Sequence, residues 1–193
     1  MSDELRMRIG RYTTKFRIVA AIEKGDILLL NYLLRKLNHS PVTPVDKLGN
    51  NIFAMACYLG NLSMVKYIYN TFHLPINLFN TDGVAPIHLA VKSGCFKVVK
   101  WLWKHGADCH VPTQVFGITP YQKCCKMLKN PDYNCLRSEL LKIKNFLISK
   151  YFEDMRGFEI RKFLWSAQQL KGNKKLDFSK LSQNIIREIA EYI

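Results

Sequence analysis

Few residues in this chain have types that could do chemistry. His88 lies in the run Pro86-Ile87-His88-Leu89-Ala90, and Cys109-His110 and the adjacent pair Cys124-Cys125 follow it. A histidine suggests catalysis, and the cysteine-containing pairs suggest metal or redox chemistry. Tetrahedral zinc, however, needs four ligands at finger-like spacing, and no such set is visible. There is no Ser-His-Asp or Cys-His constellation, no phosphate loop and no paired carboxylate motif. A triad assembled from distant segments would leave no local signature. The expectation is a chain that is not an enzyme and that takes no cofactor and no metal.

The elements that carry these residues are organised around Asp82 to Asp108. This stretch reads as a turn, a short helix opened by Pro86, a glycine turn at Gly94, a second helix through Val98-Val99-Lys100-Trp101-Leu102, and a closing Gly106-Ala107-Asp108 turn. Proline suits a first helical turn, where a missing N–H is tolerated. Gly94 separates two apolar helical patterns, and Gly106 follows the second where a left-handed cap is wanted. A unit this short cannot bury its own apolar face, so it needs neighbours built alike. The sequence supplies them. Gly49, Gly83 and Gly117 recur every 34 residues, and Gly25, Gly60 and Gly94 form a second register. After that second glycine the apolar positions superpose: Ile27/Leu30/Leu33, Leu62/Val65/Ile68 and Phe96/Val99/Leu102.

With two glycine registers and a matching apolar register, the chain resembles the ankyrin repeat family. Ala85-Pro86-Ile87-His88-Leu89-Ala90 matches the family's Thr-Pro-Leu-His-x-Ala signature, Gly106-Ala107-Asp108 its closing turn, and Thr119-Pro120 repeats the signature. The resemblance implies an all-α ankyrin-repeat solenoid of about four helix-turn-helix repeats with a helical C-terminal extension. The expected organisation is a basic lead-in over 1–15, repeats at about 16–45, 46–79, 80–112 and 113–152, and the extension over 153–193. The first repeat is degenerate, as a terminal repeat with one flank in water should be. The second has Asn51-Ile52 in place of Thr-Pro. The fourth begins faithfully at Phe116-Gly117-Ile118-Thr119-Pro120, then runs through Leu128-Lys129-Asn130-Pro131 where a glycine is due, leaving the register of its second helix open. In this family the histidine equivalent to His88 hydrogen-bonds between neighbouring repeats, and Cys124-Cys125 take small, buried alanine positions.

Composition bounds the setting. There are 29 Lys+Arg against 15 Asp+Glu, a net charge of +14, which predicts attraction to anionic partners and says little about fold. Six scattered cysteines with no C-x-x-C pair read as reduced core residues of a cytoplasmic or nuclear protein. The N-terminus shows no apolar signal core, and the longest apolar cluster, Ile27 to Leu34, is broken by Asn31 and too short for a transmembrane segment. The expectation is a soluble monomer.

The remaining candidates are on the surface. In an ankyrin stack the turn tips and exposed residues of the first helices form one concave face, and the resemblance implies that a protein partner docks there. On this chain those positions are Lys47, Leu48, Asn50, Tyr58, Leu59, Thr81, Asp82, Val84, Lys92, Ser93, Val115, Phe116 and Ile118. Tyr58, Leu59, Phe116 and Ile118 are apolar where the family usually leaves wet positions. Lys66, Lys97, Lys100 and Lys104 fall on second helices and Lys171, Lys174 and Lys175 in a loop. The bland reading of these lysines is a solvated surface, and the alternative is a basic protein that binds nucleic acid or a membrane surface. No groove-reading helix, RNA-binding signature or zinc finger accompanies the charge.

The last thirteen residues place Leu181, Ile185, Ile189, Tyr192 and Ile193 on one helical stripe. This segment resembles the opening of an F-box, and more particularly the truncated F-box-like PRANC segment that ends many viral ankyrin proteins. There the tail recruits the Skp-type adaptor of a cullin ubiquitin ligase. Ser182 replaces the motif's proline and Asn184 its acidic residue. Two readings stand: an adapter whose tail recruits the ligase, as in viral or intracellular bacterial proteins directed at a host, or a helix that caps the repeat stack.

Overall fold

The computed structural model describes the backbone of residues 3–155 and, within that range, the side chains of residues 14–150. The chain divides into two compact units, Met1–Tyr151 and Phe152–Ile193, and all the described side chains lie in the first. Its helices are α1 Asp3–Lys24, α2 Ile27–Lys36, α3 Ile52–Tyr58, α4 Leu62–Phe72, α5 Pro86–Lys92, α6 Phe96–Lys104, α7 Pro120–Lys129 and α8 Arg137–Met155, with a 3-10 turn at Pro131–Leu136. No strand occurs among the described residues. Helix α1 covers most of the basic lead-in and continues into the first repeat. The tail positions Leu181, Ile185, Ile189, Tyr192 and Ile193 lie outside the described residues.

Helices α2, α3, α4, α5 and α7 each start at a short polar side chain that satisfies a free N–H or at a proline that has none to satisfy. Asp26 caps α2 by accepting from the Leu29 N–H (2.9 Å), Asn51 caps α3 from Ala54 (2.8 Å), and Asn61 caps α4 from Met64 (3.1 Å). Ala85 has no capping side chain, and Pro86 opens α5 instead. Thr119 and Gln122 form a reciprocal capping box at α7. Asn51 therefore does in the second repeat what threonine does in the fourth.

The helices pack in pairs, α1 on α2, α3 on α4 and α5 on α6, while the first helices stack in the row α1, α3, α5, α7. Residues 52–57 of α3 and 86–91 of α5 are buried throughout, because these short helices have neighbours on both flanks. One apolar cluster runs from Ile18 to Leu147, so the core is added slice by slice along the array. Side chains also stitch adjacent slices. The Asn61 side-chain amide donates to the Ile22 carbonyl (2.9 Å), and the Tyr67 hydroxyl to Asn31 Oδ1 (2.8 Å).

Between the helix pairs the chain forms hairpin-like turns that stack on one another. The Thr81 hydroxyl donates to the Leu48 carbonyl (3.0 Å), and the Gln114 N–H donates to the Gly83 carbonyl (2.9 Å). This stacking explains two glycines of the first register, Gly49 and Gly83. Gly49 has φ +75°, and a Cβ there would lie 1.9 Å from Thr81 Oγ1. At Gly83 a Cβ would lie 2.5 Å from Cβ of Gln114.

The fourth slice departs as its sequence does. Asn130 caps the 3-10 turn through the Asp132 N–H (3.0 Å), and α8 follows with Leu140, Ile143 and Leu147 buried. That fixes the helix register left open by the inserted loop. Contacts with earlier helices hold α8 in place: the Cys124 thiol donates to the Leu140 carbonyl (3.2 Å), and the Phe146 ring meets Phe96 and Trp103 edge-on with centroids 5.6 and 5.5 Å away.

Candidate protein-interaction surface

The hairpins are built from a repeated polar frame. Asp46, Asn80 and Thr113 each accept a backbone N–H from across their own turn: Asn50 (2.8 Å), Val84 (2.8 Å) and Ile118 (3.1 Å) respectively. The first two bonds span four residues and the third spans five. The last hairpin is thus one residue longer, and its tip is Val115-Phe116. These side chains are the most open apolar members of the predicted set, Phe116 at 76 % exposed and Val115 at 64 %, with Leu48 on the first hairpin at 45 %. Lys47, Thr81 and Asp82 are exposed on the same tips.

Not all the predicted positions are available to a partner. Asn50 is fully buried, a correction to its expected exposure. Its side-chain amide donates to Asp46 Oδ2 (2.6 Å), and its Oδ1 accepts from the Asn80 amide (2.9 Å), so it links two hairpins. The Asp46-to-Asn50 spacing was the available signal. Leu59 and Val84 are half-buried against the core. Ser93 spends its hydroxyl on the end of α5, donating to the Ala90 carbonyl (2.8 Å) and accepting from the Cys95 N–H (3.3 Å). Ile118 is half-buried, and its carbonyl accepts from the Thr113 N–H (3.0 Å). Tyr58, at 36 % exposed, ends α3 under the Lys92 ammonium, which lies 5.0 Å from the ring centroid.

His88 occupies the inter-repeat role that the resemblance implied. Its Nε2 donates to the Ile118 carbonyl (2.9 Å), because a carbonyl can only accept. This bond ties α5 to the next hairpin. Its Nδ1 is buried with no hydrogen-bond partner. Burial, followed by weaker opposing backbone contacts, lowers the pKa of His88 below its usual value and keeps the ring neutral.

The cysteines divide between core and surface. Cys57, Cys109 and Cys124 are buried, Cys95 and Cys125 are half-buried, and Cys135 is exposed, so the core expectation fails for Cys135. At Cys125 the expected burial is incomplete. Burial pushes the Cys57 thiol up strongly and the Cys124 thiol up to about 12, the reverse of what an activated nucleophile needs. Among the described residues, no group of three or more His, Cys, Asp or Glu side chains could hold a metal ion. Nor is any described helix long and apolar enough to cross a membrane.

Two lysines on the same face were missed. Lys123 and Lys126 lie on α7, and Lys126 stands 34 residues after Lys92, which stands 34 after Tyr58. A further hollow on α2, lined by Leu28, Asn31, Tyr32, Arg35 and Lys36, was also not anticipated.

Comparison with known proteins bears on this frame. A family model described as ankyrin repeats (3 copies) matches residues 18–113. The chain is 32 % identical over 85 residues to a probable 26S proteasome regulatory subunit p28 of Saccharomyces cerevisiae, a match covering 43 % of this chain and 37 % of that protein. The chain thus spans well under half the length of this curated relative. It is also similar to a solved structure of the Bd0816 predatory endopeptidase from Bdellovibrio bacteriovorus in complex with immunity protein Bd3460. That match has 22 % identity and a TM-score of 0.48, covering 65 % of this chain and 62 % of the other. Residues 18–113 match the ankyrin-repeat model, and the described residues fold as an all-α ankyrin-repeat solenoid.

Proposed function

We propose that this chain is a non-catalytic adapter that binds a partner protein through the hairpin tips and first helices of its repeats. Ankyrin repeats point to a protein–protein interaction role, and one observation carries the reading to particular residues. The longer last hairpin lifts Val115 and Phe116 into solvent on the same face as Leu48. Exposed apolar and aromatic side chains of this kind are where interface energy concentrates. The partner-facing set is therefore Leu48, Tyr58, Val115 and Phe116, edged by Lys47, Thr81, Asp82 and Lys92, in a protein of the cytoplasm or nucleus.

The C-terminal stripe Leu181, Ile185, Ile189, Tyr192 and Ile193 extends the reading. Its F-box-like pattern supports recruitment of a Skp-type adaptor, and hence a two-ended adapter directed at the ubiquitin pathway of a host cell. A capping helix accounts for the same stripe. A second reading, a basic nucleic-acid- or membrane-surface-binding protein, is favoured by the exposed lysines Lys66, Lys97, Lys100 and Lys104 on α4 and α6.

Affinity capture from a eukaryotic lysate tests the adapter. The intact chain, a Phe116→Asp variant and a chain truncated after Gly172 are compared. A partner held by the intact and truncated chains but lost with Phe116→Asp supports the hairpin face. Skp-type and cullin components retained only by the intact chain support recruitment. Capture of nucleic acid alone, insensitive to Phe116→Asp, overturns the proposal.

A further inference from the structure

The charge on the row of first helices has a pattern that solubility does not require. Helices α3, α5 and α7 contain Lys92, Lys123, Lys126 and Lys129 and no carboxylate. Lys92 and Lys126 occupy the same position in successive repeats, the position that Tyr58 holds one repeat earlier. A cation in the last turn of a helix is favoured by the helix dipole, which accounts for Lys92, Lys126 and Lys129 and leaves Lys123 unexplained. Lys123 is half-buried between them: burial first, then the charges of Lys92 and Lys126, push its pKa down. Of the hairpin carboxylates, Asp46 is engaged by Asn50 through both oxygens. The strip therefore holds crowded cations that an incoming anion would relieve.

We propose that Lys92, Lys123 and Lys126 bind an acidic segment of the partner protein, whose apolar side chains rest against Phe116. This inference depends on the protein-binding reading above and specifies its partner. Stacked helices lie about 8–10 Å apart, and an extended chain rises about 3.3 Å per residue. Acidic residues three apart along the partner would meet lysines of successive repeats. A stacking surface for nucleic-acid bases fits less well, because the Lys92 ammonium already lies over the Tyr58 ring, leaving Phe116 as the open aromatic ring of the proposed set.

The test uses the full chain and a labelled peptide of four Glu-Leu-Ser triplets, read by fluorescence anisotropy. A Gln-Leu-Ser peptide and a thymidine dodecanucleotide serve as comparison probes. The expected result is binding of the glutamate peptide, weakened by about tenfold when its charges are removed and by about tenfold in K92E/K126E. Reversal of Lys97 and Lys100 on α6 should shift the affinity by less than about threefold. If the double variant fails to fold, K126E alone, at an exposed side chain, makes the same comparison. Equal affinity for the glutamate and glutamine peptides overturns the proposal, as does no measurable peptide binding. Tighter binding of the oligonucleotide, lost in the same variants, overturns it in favour of nucleic acid. A natural partner lost with Phe116→Asp but retained by K92E/K126E removes the acidic segment and leaves the protein-binding reading intact.

Discussion

His88 joins two slices of the array through one nitrogen and leaves the other unpaired. The Nε2 proton goes to the Ile118 carbonyl, and Nδ1 sits buried without a partner. Protonating Nδ1 would place a charge in a site where burial opposes it and Lys123 adds positive potential, and the nearby backbone groups offset this only in part. Unfolded histidine takes up its proton near the ordinary value of 6.5, whereas folded His88 resists until lower pH. Between those two points the unfolded state binds more protons, so stability rises with pH. The stabilisation is complete above about pH 6.5 and is lost as pH falls through the folded value. The urea midpoint should therefore drop between pH 7.5 and 5.5, and a His88→Gln variant should show a flatter dependence over that interval. His39, lowered chiefly by burial, contributes a residual slope of the same sign in both proteins. An equal slope in the two proteins would remove His88 as its source. The role of this residue was visible in the Ala-Pro-Ile-His-Leu-Ala run, since a signature names the position. Asn50 was not visible in the same way, because its environment is made by Asp46 and by Asn80 from the next repeat.

At the scale of elements, the hairpins and the second helices differ in how plainly the sequence declares them. The 34-residue glycine register marks turns whose backbone is left-handed, and Gly49, Gly83 and Gly117 all have positive φ. Their substitution costs should nevertheless differ. Gly49→Ala places a methyl group into Thr81 of the following hairpin as well as forcing a strained backbone, while the space around Gly117 is open within 4 Å. Gly117→Ala should cost about 1–2 kcal/mol from backbone strain alone. Gly49→Ala should cost about 1–2 kcal/mol more, because Thr81 must move and gives up its bond to Leu48. Paired urea denaturation curves measure the difference, and equal losses would mean that hairpin stacking contributes nothing to it. Helices α2, α4 and α6 were legible for a related reason: each follows a glycine turn, so its apolar register could be counted from a fixed point. Helix α8 has no such origin. The run Leu128 to Leu136 replaces the glycine turn with a proline-led 3-10 turn. Only the pocket offered by α6 and α7 selects Leu140, Ile143 and Leu147 as the buried stripe. Lys123 escaped notice for the converse reason, since it stands where the preceding repeats carry Leu89 and Met55, and a lysine at a core register reads as noise until its neighbours are seen.

The molecule as a whole has a net charge of +14, and two sets of its described lysines have different expected roles. Lys66, Lys97, Lys100 and Lys104 are exposed on α4 and α6, away from the first-helix row, whereas Lys92, Lys123 and Lys126 lie along it. Charges outside a contact act through the long-range field and change the rate of encounter, and that effect is screened over about 8 Å at physiological salt. Charges inside a contact also change how long the complex lasts. Once a partner is in hand, the triple variant K97E/K100E/K104E should slow association several-fold at low salt and leave the dissociation rate within about twofold. K92E/K126E should slow association and also speed dissociation by about fivefold or more. Surface plasmon resonance across an ionic-strength series separates the two effects. If the α4 and α6 lysines instead control dissociation, the partner sits on the second helices, and the solenoid is being read from the opposite side.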